Sequence, residues 1–444
     1  MKAYVVTGLA FGDEGKGSIV DALVRRFKSE LVVRYSGGCQ CGHNVYNNEG
    51  QHHTFSQFGS GTFVPGVKTL LSKDVIVSPL NLVAEAKVLY EKGIKDALGR
   101  VWIDKRALMT TPYHRAVNRL RELARGNARH GSCGMGVGET VGDAILNPDA
   151  AIRMGDMDDP PAFSMKLAAA QFRMQKIALG LNVPDTEETM RQLSTFRYDV
   201  TKLMQEYCAF YLPMKDHLLS DYTVGKFLNQ HATAVFEGAQ GVLLDEHYGF
   251  YPYTTWSTTT ARNAKLMLEE AEIFEPSTTI GVLRSHMTRH GAGPFVAEYA
   301  EMGARLDDIN NPHNPWQENI RFGALDFPAL RYALAVNGPV DCLAVTHCDR
   351  VWYPWPVVTK YATPVLTETA KRHQAGWSNW KDCVTFMAEI TKAMQEPVDY
   401  KQEMIKSRGA LFAAIAEQLC APIGIVSNGP DSADKVFVSE LKPA

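Results

Sequence analysis

Hydrophobic positions along the chain follow two patterns that alternate. Short runs rich in β-branched residues predict buried strands, at residues 4–7, 31–35, 69–71, 75–77, 234–237, 279–283, 342–346 and 423–427. Between several of these runs, apolar positions recur with the spacing of an amphipathic helix, at residues 17–28, 81–92, 112–124, 165–179, 199–218 and 407–419. Strands that alternate with helices favour a mostly parallel sheet wrapped by helices. The pattern therefore predicts the α/β fold class.

The domain organisation is predicted from what interrupts this pattern. The sequence shows no internal repeat and no long linker rich in proline or serine. We therefore predict a single large α/β domain over residues 1–444. Residues from about 156 to 230 show an almost wholly helical pattern and are interpreted as a helical insertion packed against the sheet. Residues from about 354 to 400 mix Trp, Pro and Lys with short strand-like runs and are interpreted as a peripheral subdomain.

Composition excludes several classes of protein. The 444 residues are 45% hydrophobic and 21% charged, which is typical of a globular chain. The 46 basic and 49 acidic residues give a formal net charge of −3, so no overall field draws the chain to nucleic acid or to an anionic membrane. No apolar stretch reaches the roughly 18 to 20 residues of a membrane helix. Eight cysteines are too few for a disulfide scaffold at this length. We predict a reduced, cytoplasmic protein with no nucleic-acid and no membrane partner.

A glycine-rich loop follows the first predicted strand and leads directly into a helical pattern, with the sequence GLAFGDEGKGS at residues 8–18. Glycines let backbone N–H groups converge on an oxyanion, the helix N-terminus adds partial positive charge, and Lys16 supplies a point charge. The loop departs from the usual GxxxxGKS/T pattern, because alanine replaces the first glycine and glycine replaces the final hydroxyl residue. Asp13 and Glu14 would repel a phosphate unless a metal or a proton-transfer role compensates. The loop therefore predicts phosphate binding combined with catalysis.

Several runs carry a resemblance to a known family. FGDEGKGSIVD at residues 11–21 resembles the signature loop of adenylosuccinate synthetases, which join a purine nucleotide to aspartate with GTP. VRYSGGCQCGH at residues 33–43 is similar to the family's VRYQGGNNAGH, and FEGAQGVLLD at residues 236–245 is similar to its FEGAQGxLLD. Further matches follow in the right order, at residues 251–255, 288–295, 325–326, 346–349 and 426–430. The resemblance spans nearly the whole chain and implies the family's P-loop-type α/β fold, with a mostly parallel central sheet and helical and small β insertions.

The resemblance implies how the acids in the loop act. Converting a 6-oxo purine into a 6-amino purine needs a better leaving group than oxide, so the oxygen first accepts a phosphoryl group and is then displaced by an amine. In the family, the residue at Asp13 takes the proton from purine N1, and the residue at His43 donates to the phosphoryl oxygens. The family also places Mg²⁺ against the Asp13 carboxylate and the backbone carbonyl at Gly42, with GTP as co-substrate. The GTP phosphates would contact Gly12, Glu14, Gly15, Lys16, Gly17 and Gly42.

The resemblance also implies two nucleotide-binding regions. Asp349 would accept from guanine N1–H and N2–H together, a pairing that adenine cannot reciprocate. The neighbouring family lysine is His347 here, and Ser427 and Gly429 match the loop that closes on the guanine. The purine monophosphate would contact Gln40, Ser132, Cys133, Gln240 and Thr255.

The sequence departs from the family pattern around the acceptor nucleotide. The glycine run GSCGMGVG at residues 131–138 has Met135 where the family has an arginine. Residues 143–149 contain no arginine, whereas the family uses one from this stretch to reach across a homodimer interface to the nucleotide phosphate. A homodimer is still expected from the resemblance.

The amino-acid site departs further. The family has an arginine-rich run that clamps the aspartate carboxylates. At the corresponding place, residues 314–326, this chain reads NPWQENIRFGALD. Arg321 is the one arginine left in this run, and Arg289 is expected to help it bind the amino-acid substrate. Trp316 and Glu318 indicate a pocket of different shape.

Three functions remain open on the sequence. The first is a GTP-dependent ligase that makes adenylosuccinate from IMP and L-aspartate. The second is a paralogue that uses another 6-oxo purine nucleotide, such as GMP or dGMP, or another amine donor. The third is a GTP-binding regulator that no longer ligates, which the presence of both Asp13 and His43 disfavours. A zinc site at Cys39, Cys41 and His43 is not expected, because donors so close in sequence cannot surround a tetrahedral ion.

Overall fold

The computed structural model describes residues 1–47, 49–306, 308, 311, 313, 315–317 and 319–441. Its strands are β1 (Lys2–Gly8), β2 (Leu31–Arg34), β3 (His43–Tyr46), β4 (His52–Phe55), β5 (Lys68–Leu71), β6 (Val101–Asp104), β7 (Leu218–Leu219), β8 (Thr233–Glu237), β9 (Thr278–Arg284), β10 (Met287–His290), β11 (Ile320–Gly323), β12 (Leu325–Asp326), β13 (Cys342–Thr346), β14 (Trp355–Tyr361), β15 (Tyr400–Ile405), β16 (Ile423–Ser427) and β17 (Lys435–Phe437). Its helices are α1 (Lys16–Phe27), α2 (Pro79–Glu91), α3 (Pro112–Arg125), α4 (Val137–Leu146), α5 (Pro160–Leu179), α6 (Glu187–Ser194), α7 (Val200–Met214), α8 (Asp221–Asn229), α9 (Arg262–Glu270), α10 (Ala300–Arg305), α11 (Phe327–Asn337), α12 (Val365–Gln374), α13 (Trp380–Gln395) and α14 (Arg408–Leu419). Within this described part, no helix is both long and apolar enough to cross a membrane.

A ten-stranded sheet organises these elements, in the order β17-β16-β13-β9-β1-β8-β2-β5-β6-β7. Neighbouring strands pair in parallel except β17, which runs antiparallel to β16 at one edge. Alternate residues of β1 point to opposite faces: Val5 packs in a cluster with α8 and α9, and Val6 packs in a cluster with α1. Helices therefore cover both faces, which explains why every residue of β9 is buried. The α/β class and the mostly parallel sheet predicted from the sequence are confirmed.

Smaller sheets flank the central one. β3 and β4 form an antiparallel hairpin, β10 pairs with β11, and β14 lies between β12 and β15. The region predicted as a peripheral subdomain, about residues 354–400, contains β14, α12 and α13 and reaches the start of β15. The region predicted as a helical insertion, about residues 156–230, contains α5 to α8 together with β7, which joins the edge of the central sheet. The division of the chain into these parts stays a prediction.

The strand predicted at residues 75–77 is wrong. The backbone N–H of Val75 closes a turn on the carbonyl of Ser72, whereas those of Ile76 and Val77 donate to two other segments. Because three consecutive residues pair with three different parts of the chain, they form isolated bridges and no continuous ladder.

The carboxyl ends of the parallel strands lie at one edge of the sheet, which is where ligands bind in open α/β folds. β1 ends at Gly8 and leads into the glycine-rich loop, and β8 ends at Glu237. Next to them, β9 ends at Arg284 and β13 at Thr346. The sheet thus brings loops from distant parts of the sequence to one place.

Leucines in the central sheet should dominate the stability of this fold. Leu343 in β13 is fully buried, so Leu343→Ala should lower the free energy of unfolding by about 2–5 kcal/mol, because the lost transfer free energy and the cavity add. The matched control is Leu212→Ala in α7, where the side chain is 66% exposed and the expected change is below about 0.5 kcal/mol. Urea unfolding followed by circular dichroism measures both variants. Equal losses in the two would contradict this description of the core.

Candidate active site

A cavity of about 930 Å³ lies at the carboxyl edge of the central sheet. This volume is at the upper end of the range for small-molecule sites. Arg321 is the one predicted site residue that does not line it. The wall contains the others: Gly12, Asp13, Glu14, Gly15, Lys16, Gly17, Gln40, Gly42, His43, Ser132, Cys133, Gln240, Thr255, Arg289, His347, Asp349, Ser427 and Gly429.

The glycine-rich loop is shaped by an acid that it surrounds. The Glu14 carboxylate accepts from the backbone N–H groups of Ala10 at 3.0 Å and Gly12 at 2.9 Å. It also forms a buried ion pair with Lys16. Helix α1 then starts after Gly15, which offers no side-chain cap, so the first N–H groups of the helix are left for an anion. Glu14 thus holds the loop open and fixes the ammonium of Lys16 beside it.

Asp13 is held by its backbone and lines the cavity. Its φ of 57° lies in the left-handed region, which is uncommon for a residue with a side chain. Arg284 Nε donates to the Asp13 carbonyl at 2.5 Å, and Arg284 is itself fixed by an ion pair with Asp308 at 2.9 Å. Within the described ranges, no hydrogen bond or ion pair engages the Asp13 carboxylate. A carboxylate placed in this way can accept a proton or bind a cation.

His43 is oriented by a buried carboxylate. Its Nδ1 pairs with Glu237 at the end of β8, and the backbone N–H of Ser60 donates to the same carboxylate at 2.9 Å. Burial lowers the pKa of His43, and the charge of Glu237 partly opposes that effect. Burial alone would raise the pKa of Glu237, but Arg34, His43 and Ser60 outweigh it and lower that pKa to about 2. Because Nδ1 is occupied, Nε2 is the ring nitrogen left for a ligand.

The loop after β13 forms a second part of the wall. His347 has a φ of 56°, and Thr346 Oγ1 lies 2.9 Å from its Nδ1. Burial lowers the pKa of His347 well below its usual value, and Arg284 and other neighbouring cations lower it further. Its imidazole is therefore neutral at physiological pH.

Two more predicted base contacts lie beside His347. Asp349 is partly exposed and forms an ion pair with Arg350 at 3.3 Å. Ser427 Oγ donates to the carbonyl of Gly429 at 3.0 Å, which shapes the turn after β16. A carboxylate and a tight turn thus line the same end of the cavity.

The predicted purine contacts line the same cavity as the glycine-rich loop. Asn118 on α3 donates to Ser132 Oγ at 3.0 Å and fixes the loop before α4. Burial raises the pKa of Cys133 to about 12, so its thiol is neutral. The Oε1 atoms of Gln40 and Gln240 are buried and have no hydrogen-bond partner in the described part of the chain. Buried acceptors of this kind are normally satisfied, so these two are available to a ligand.

The two predicted amino-acid contacts both donate to backbone carbonyls. Arg289 lines the cavity, but its guanidinium donates to three backbone carbonyls at 2.9 to 3.3 Å and lies over the ring of Phe11. Arg321 donates to the carbonyls of Gly291 at 3.1 Å and Gly293 at 2.9 Å. It also pairs at 2.8 Å with Glu298, which does not line the cavity. Both arginines therefore hold the turn after β10.

Several residues of the site were not identified from the sequence. Glu237, the partner of His43, lies in the FEGAQG run, but its role depends on a contact between distant segments. On α3, Arg121 pairs with Glu139 at 2.9 Å, and Arg125 pairs with a neighbouring glutamate. The helical pattern of α3 indicates a polar face but gives no sign that this face borders a ligand cavity.

The segment before Leu325 is described in part. Asn314 and Glu318, which the sequence analysis included in the amino-acid site, lie outside the described residues. Trp316 does not line the cavity, and the guanidinium of Arg119 lies 5.4 Å from the centre of its ring. The aromatic side chain thus packs on α3.

Glu237 should control the protonation of His43. Glu237→Gln keeps the shape of the side chain but removes the charge that favours the imidazolium, so the pKa of His43 should fall further. Nitrogen-15 NMR of the labelled histidines across a pH series measures it. Glu270→Gln, at an exposed carboxylate that pairs with Lys73, is the control and should leave His43 unchanged. An unchanged or raised pKa of His43 in Glu237→Gln would contradict the pairing.

The chain is similar to known proteins over nearly its whole length. A family model described as adenylosuccinate synthetase matches residues 5–436. The adenylosuccinate synthetase of Phocaeicola vulgatus is 30% identical, over 97% of this chain and 97% of that protein. The structure of fully ligated adenylosuccinate synthetase from Plasmodium falciparum matches with a TM-score of 0.77 and 19% identity, over 99% of this chain and 100% of that one. The cyanophage S-2L succinoaminodeoxyadenylate synthetase, bound to dGMP and to dATP as an energy donor, matches with a TM-score of 0.60 and 16% identity, over 100% and 97%. The chain therefore belongs to the adenylosuccinate synthetase family, whose members are ligases that form a carbon–nitrogen bond.

Proposed function

We propose that the chain is a GTP-dependent ligase that joins L-aspartate to the 6-position of IMP and releases adenylosuccinate, GDP and phosphate. The observation that carries this proposal is that Asp13 and His43 line the same cavity as the glycine-rich loop, Asp349 and the predicted purine contacts. The family supplies the class of reaction. A cytoplasmic location stays a prediction of the sequence.

The phosphoryl transfer needs a base that removes the proton from the purine and a hydrogen-bond donor that contacts the transferring phosphoryl group. Asp13 takes the proton from purine N1, which makes O6 nucleophilic. O6 then forms a bond to the γ-phosphorus of GTP as the bond from that phosphorus to the bridging oxygen breaks, and GDP leaves. The charge of Glu237 favours the imidazolium form of His43, and in that form Nε2–H donates to the transferring phosphoryl oxygens while Glu237 holds the ring. Finally the aspartate amine forms the C6–N bond, and the C6–O6 bond breaks to release phosphate.

The donor nucleotide is assigned to the side of the cavity with the glycine-rich loop. The N-terminus of α1 and Lys16 would receive the phosphates, and Glu14 keeps the lysine in position. Asp349 would pair with the guanine edge, because a carboxylate can accept from N1–H and N2–H together. The neutral His347 can lie against the base without adding charge.

The residues that line this side also fit Mg²⁺. Within the described residues, no group of three His, Cys, Asp or Glu side chains could hold a metal by itself. Mg²⁺ is usually bound by one or two carboxylates together with substrate phosphates and water. The Asp13 carboxylate and the Gly42 carbonyl would provide such a site for Mg²⁺ that arrives with GTP. When bound, the ion neutralises phosphate charge during transfer.

Aspartate is assigned to the wall formed by Arg289 and His290. His290 lines the cavity, and its Nδ1 has no hydrogen-bond partner in the described ranges. It lies at the end of β10, next to the turn that Arg289 and Arg321 hold through backbone carbonyls. Arg321 would thus act on aspartate binding indirectly, through the shape of this turn.

Loss of the Asp13 carboxylate should abolish ligation without unfolding the protein. With Mg²⁺, GTP, IMP and L-aspartate, the wild type should release phosphate and form adenylosuccinate, identified by mass spectrometry. Asp13→Asn should reduce the rate by about 10²- to 10⁴-fold, because the base is removed. Asp158→Asn, at an exposed residue that pairs with Lys105, is the control and should leave the rate unchanged.

The same assay separates the alternatives. Product with GMP or dGMP but not with IMP would identify a different acceptor. Phosphate release without aspartate incorporation would indicate another amine donor. GTP binding without any product across IMP, dIMP, GMP and dGMP would contradict the ligase and favour a regulator, a function that neither the family nor the site supports.

A homodimer is supported by an apolar face on the outside of the chain. Met165, Phe172 and Leu179 are spaced seven residues apart on α5 and are 69%, 68% and 73% exposed. This spacing places them on one face of the helix. At the end of α4, Ile145 and Leu146 are 58% and 80% exposed. Large apolar residues grouped in this way mark interaction surfaces, and we assign a second copy of the chain as the partner.

A charge in this face should dissociate the dimer. Phe172→Glu would bury a carboxylate in the interface, so the dissociation constant should rise by about tenfold or more. Sedimentation velocity at micromolar concentration measures the change. Phe274→Glu, at a residue that is 78% exposed outside this face, is the control and should remain dimeric. A monomeric wild type, or a variant that stays dimeric, would contradict the assignment.

A further inference from the structure

Lys435, the first residue of β17, is a buried cation that the reaction steps above do not use. Its side chain is 7% exposed. Its Nζ donates to the carbonyl oxygens of Gly429 and Asp431, both at 2.7 Å. Because Lys435 lies opposite Ser427 in the antiparallel pair of β16 and β17, its ammonium reaches the turn that connects these strands.

The turn from Ser427 to Asp431 also has supports other than Lys435. Ser427 Oγ donates to the carbonyl of Gly429, and the backbone N–H of Asp431 donates to Asp434 Oδ2 at 2.9 Å. These bonds join the turn to itself and to the segment directly after it, while Arg408 on α14 donates to Asn428 Oδ1 and Asp431 forms an isolated bridge with Tyr46. Lys435 differs from them, because one side chain anchored in the central sheet holds two carbonyls of the turn together.

Lys435 lies near carboxylates from the turn itself, from helix α1 and from the part of the cavity assigned to guanine. The carboxylates that act on its charge are those of Asp434, Asp21, Asp431 and Asp349. Burial lowers the pKa of Lys435 to about 8, and these carboxylates oppose the shift. Asp21 is fully buried on α1, the helix that follows the glycine-rich loop. Asp349 lies in the cavity wall assigned to the guanine edge.

We propose that Lys435 is a positioning residue for the base of the donor nucleotide. It fixes the position of the turn at Gly429 and contributes to the charge environment of Asp349. This inference rests on the proposed function, because it takes the donor to be a guanine nucleotide. A neutral residue of similar length would leave two carbonyls without their shared donor and Asp349 with Arg350 as its ion-pair partner but without the charge of Lys435. Binding of the base should then weaken, while the phosphate loop and the reacting groups keep their geometry.

The test compares four proteins: wild type, Lys435→Met, Lys435→Arg and Lys401→Met. Lys401 is an exposed lysine on β15 that pairs with Glu403 and lies outside the cavity wall. Dissociation constants for fluorescent GTP and ATP analogues are measured by titration with Mg²⁺, and kcat and KM for GTP are measured by phosphate release. Thermal unfolding is followed for each protein. Lys435→Gln, which keeps an amide donor without the charge, replaces Lys435→Met if the latter does not fold.

We expect Lys435→Met to weaken GTP binding by at least about tenfold, since it removes two hydrogen bonds to a charged donor. ATP binding and kcat should change by less than about threefold, so the ratio of ATP to GTP dissociation constants falls. Lys435→Arg should recover most of the preference, and Lys401→Met should match the wild type. An unchanged ratio in Lys435→Met, in a wild type that prefers GTP, would overturn this inference alone. A wild type without any preference for GTP would overturn both the donor assigned above and this inference.

Discussion

The parallel pairing of β1 with β8 and β9 is the constraint on which the rest of the site depends. In this register Val6 lies beside Glu237 and Gly8 lies beside Val282. The end of β1, from which the glycine-rich loop starts, is therefore next to the carboxylate that orients His43. Arg284, which ends β9, is close enough to hold the carbonyl of Asp13. A slip by one residue would exchange the two faces of each strand and separate all of these contacts.

The charges around the cavity are paired before any ligand arrives. Lys16 pairs with Glu14, His43 with Glu237, and Arg284 with Asp308. Pairing is necessary because an isolated charge at such buried positions would lose its hydration without compensation. Asp13 differs, since its carboxylate has no such partner in the described part of the chain. The position of this carboxylate is set by backbone contacts alone, which leaves its oxygens available for proton transfer.

The sequence predicts the parts of this site that depend on local pattern. A strand, a glycine-rich loop and a helix follow one another between residues 2 and 27, so their order can be read directly. Contacts between distant segments cannot be read in this way. Nothing in the local pattern pairs His43 with Glu237, and residues 75–77 have the composition of a strand but find no single partner. For Arg289 the motif match identifies the residue, whereas the direction of its donors depends on the fold of the turn that it holds.

The two sides of the cavity are supported by different kinds of structure, and this explains where the chain departs from the family pattern. The donor side consists of loops that start at the ends of buried parallel strands, so a change there would disturb the central sheet. The acceptor side adds, to Gln40 and Gln240 from the loops after β2 and β8, residues from α3, the glycine run at residues 131–138 and the turn after β10. Pro315 and Gln317, from the altered run before Leu325, line this second side, and Met135 follows Ser132 and Cys133 in the glycine run. Its chemistry can therefore change while the sheet keeps Asp13, His43 and the phosphate loop in place.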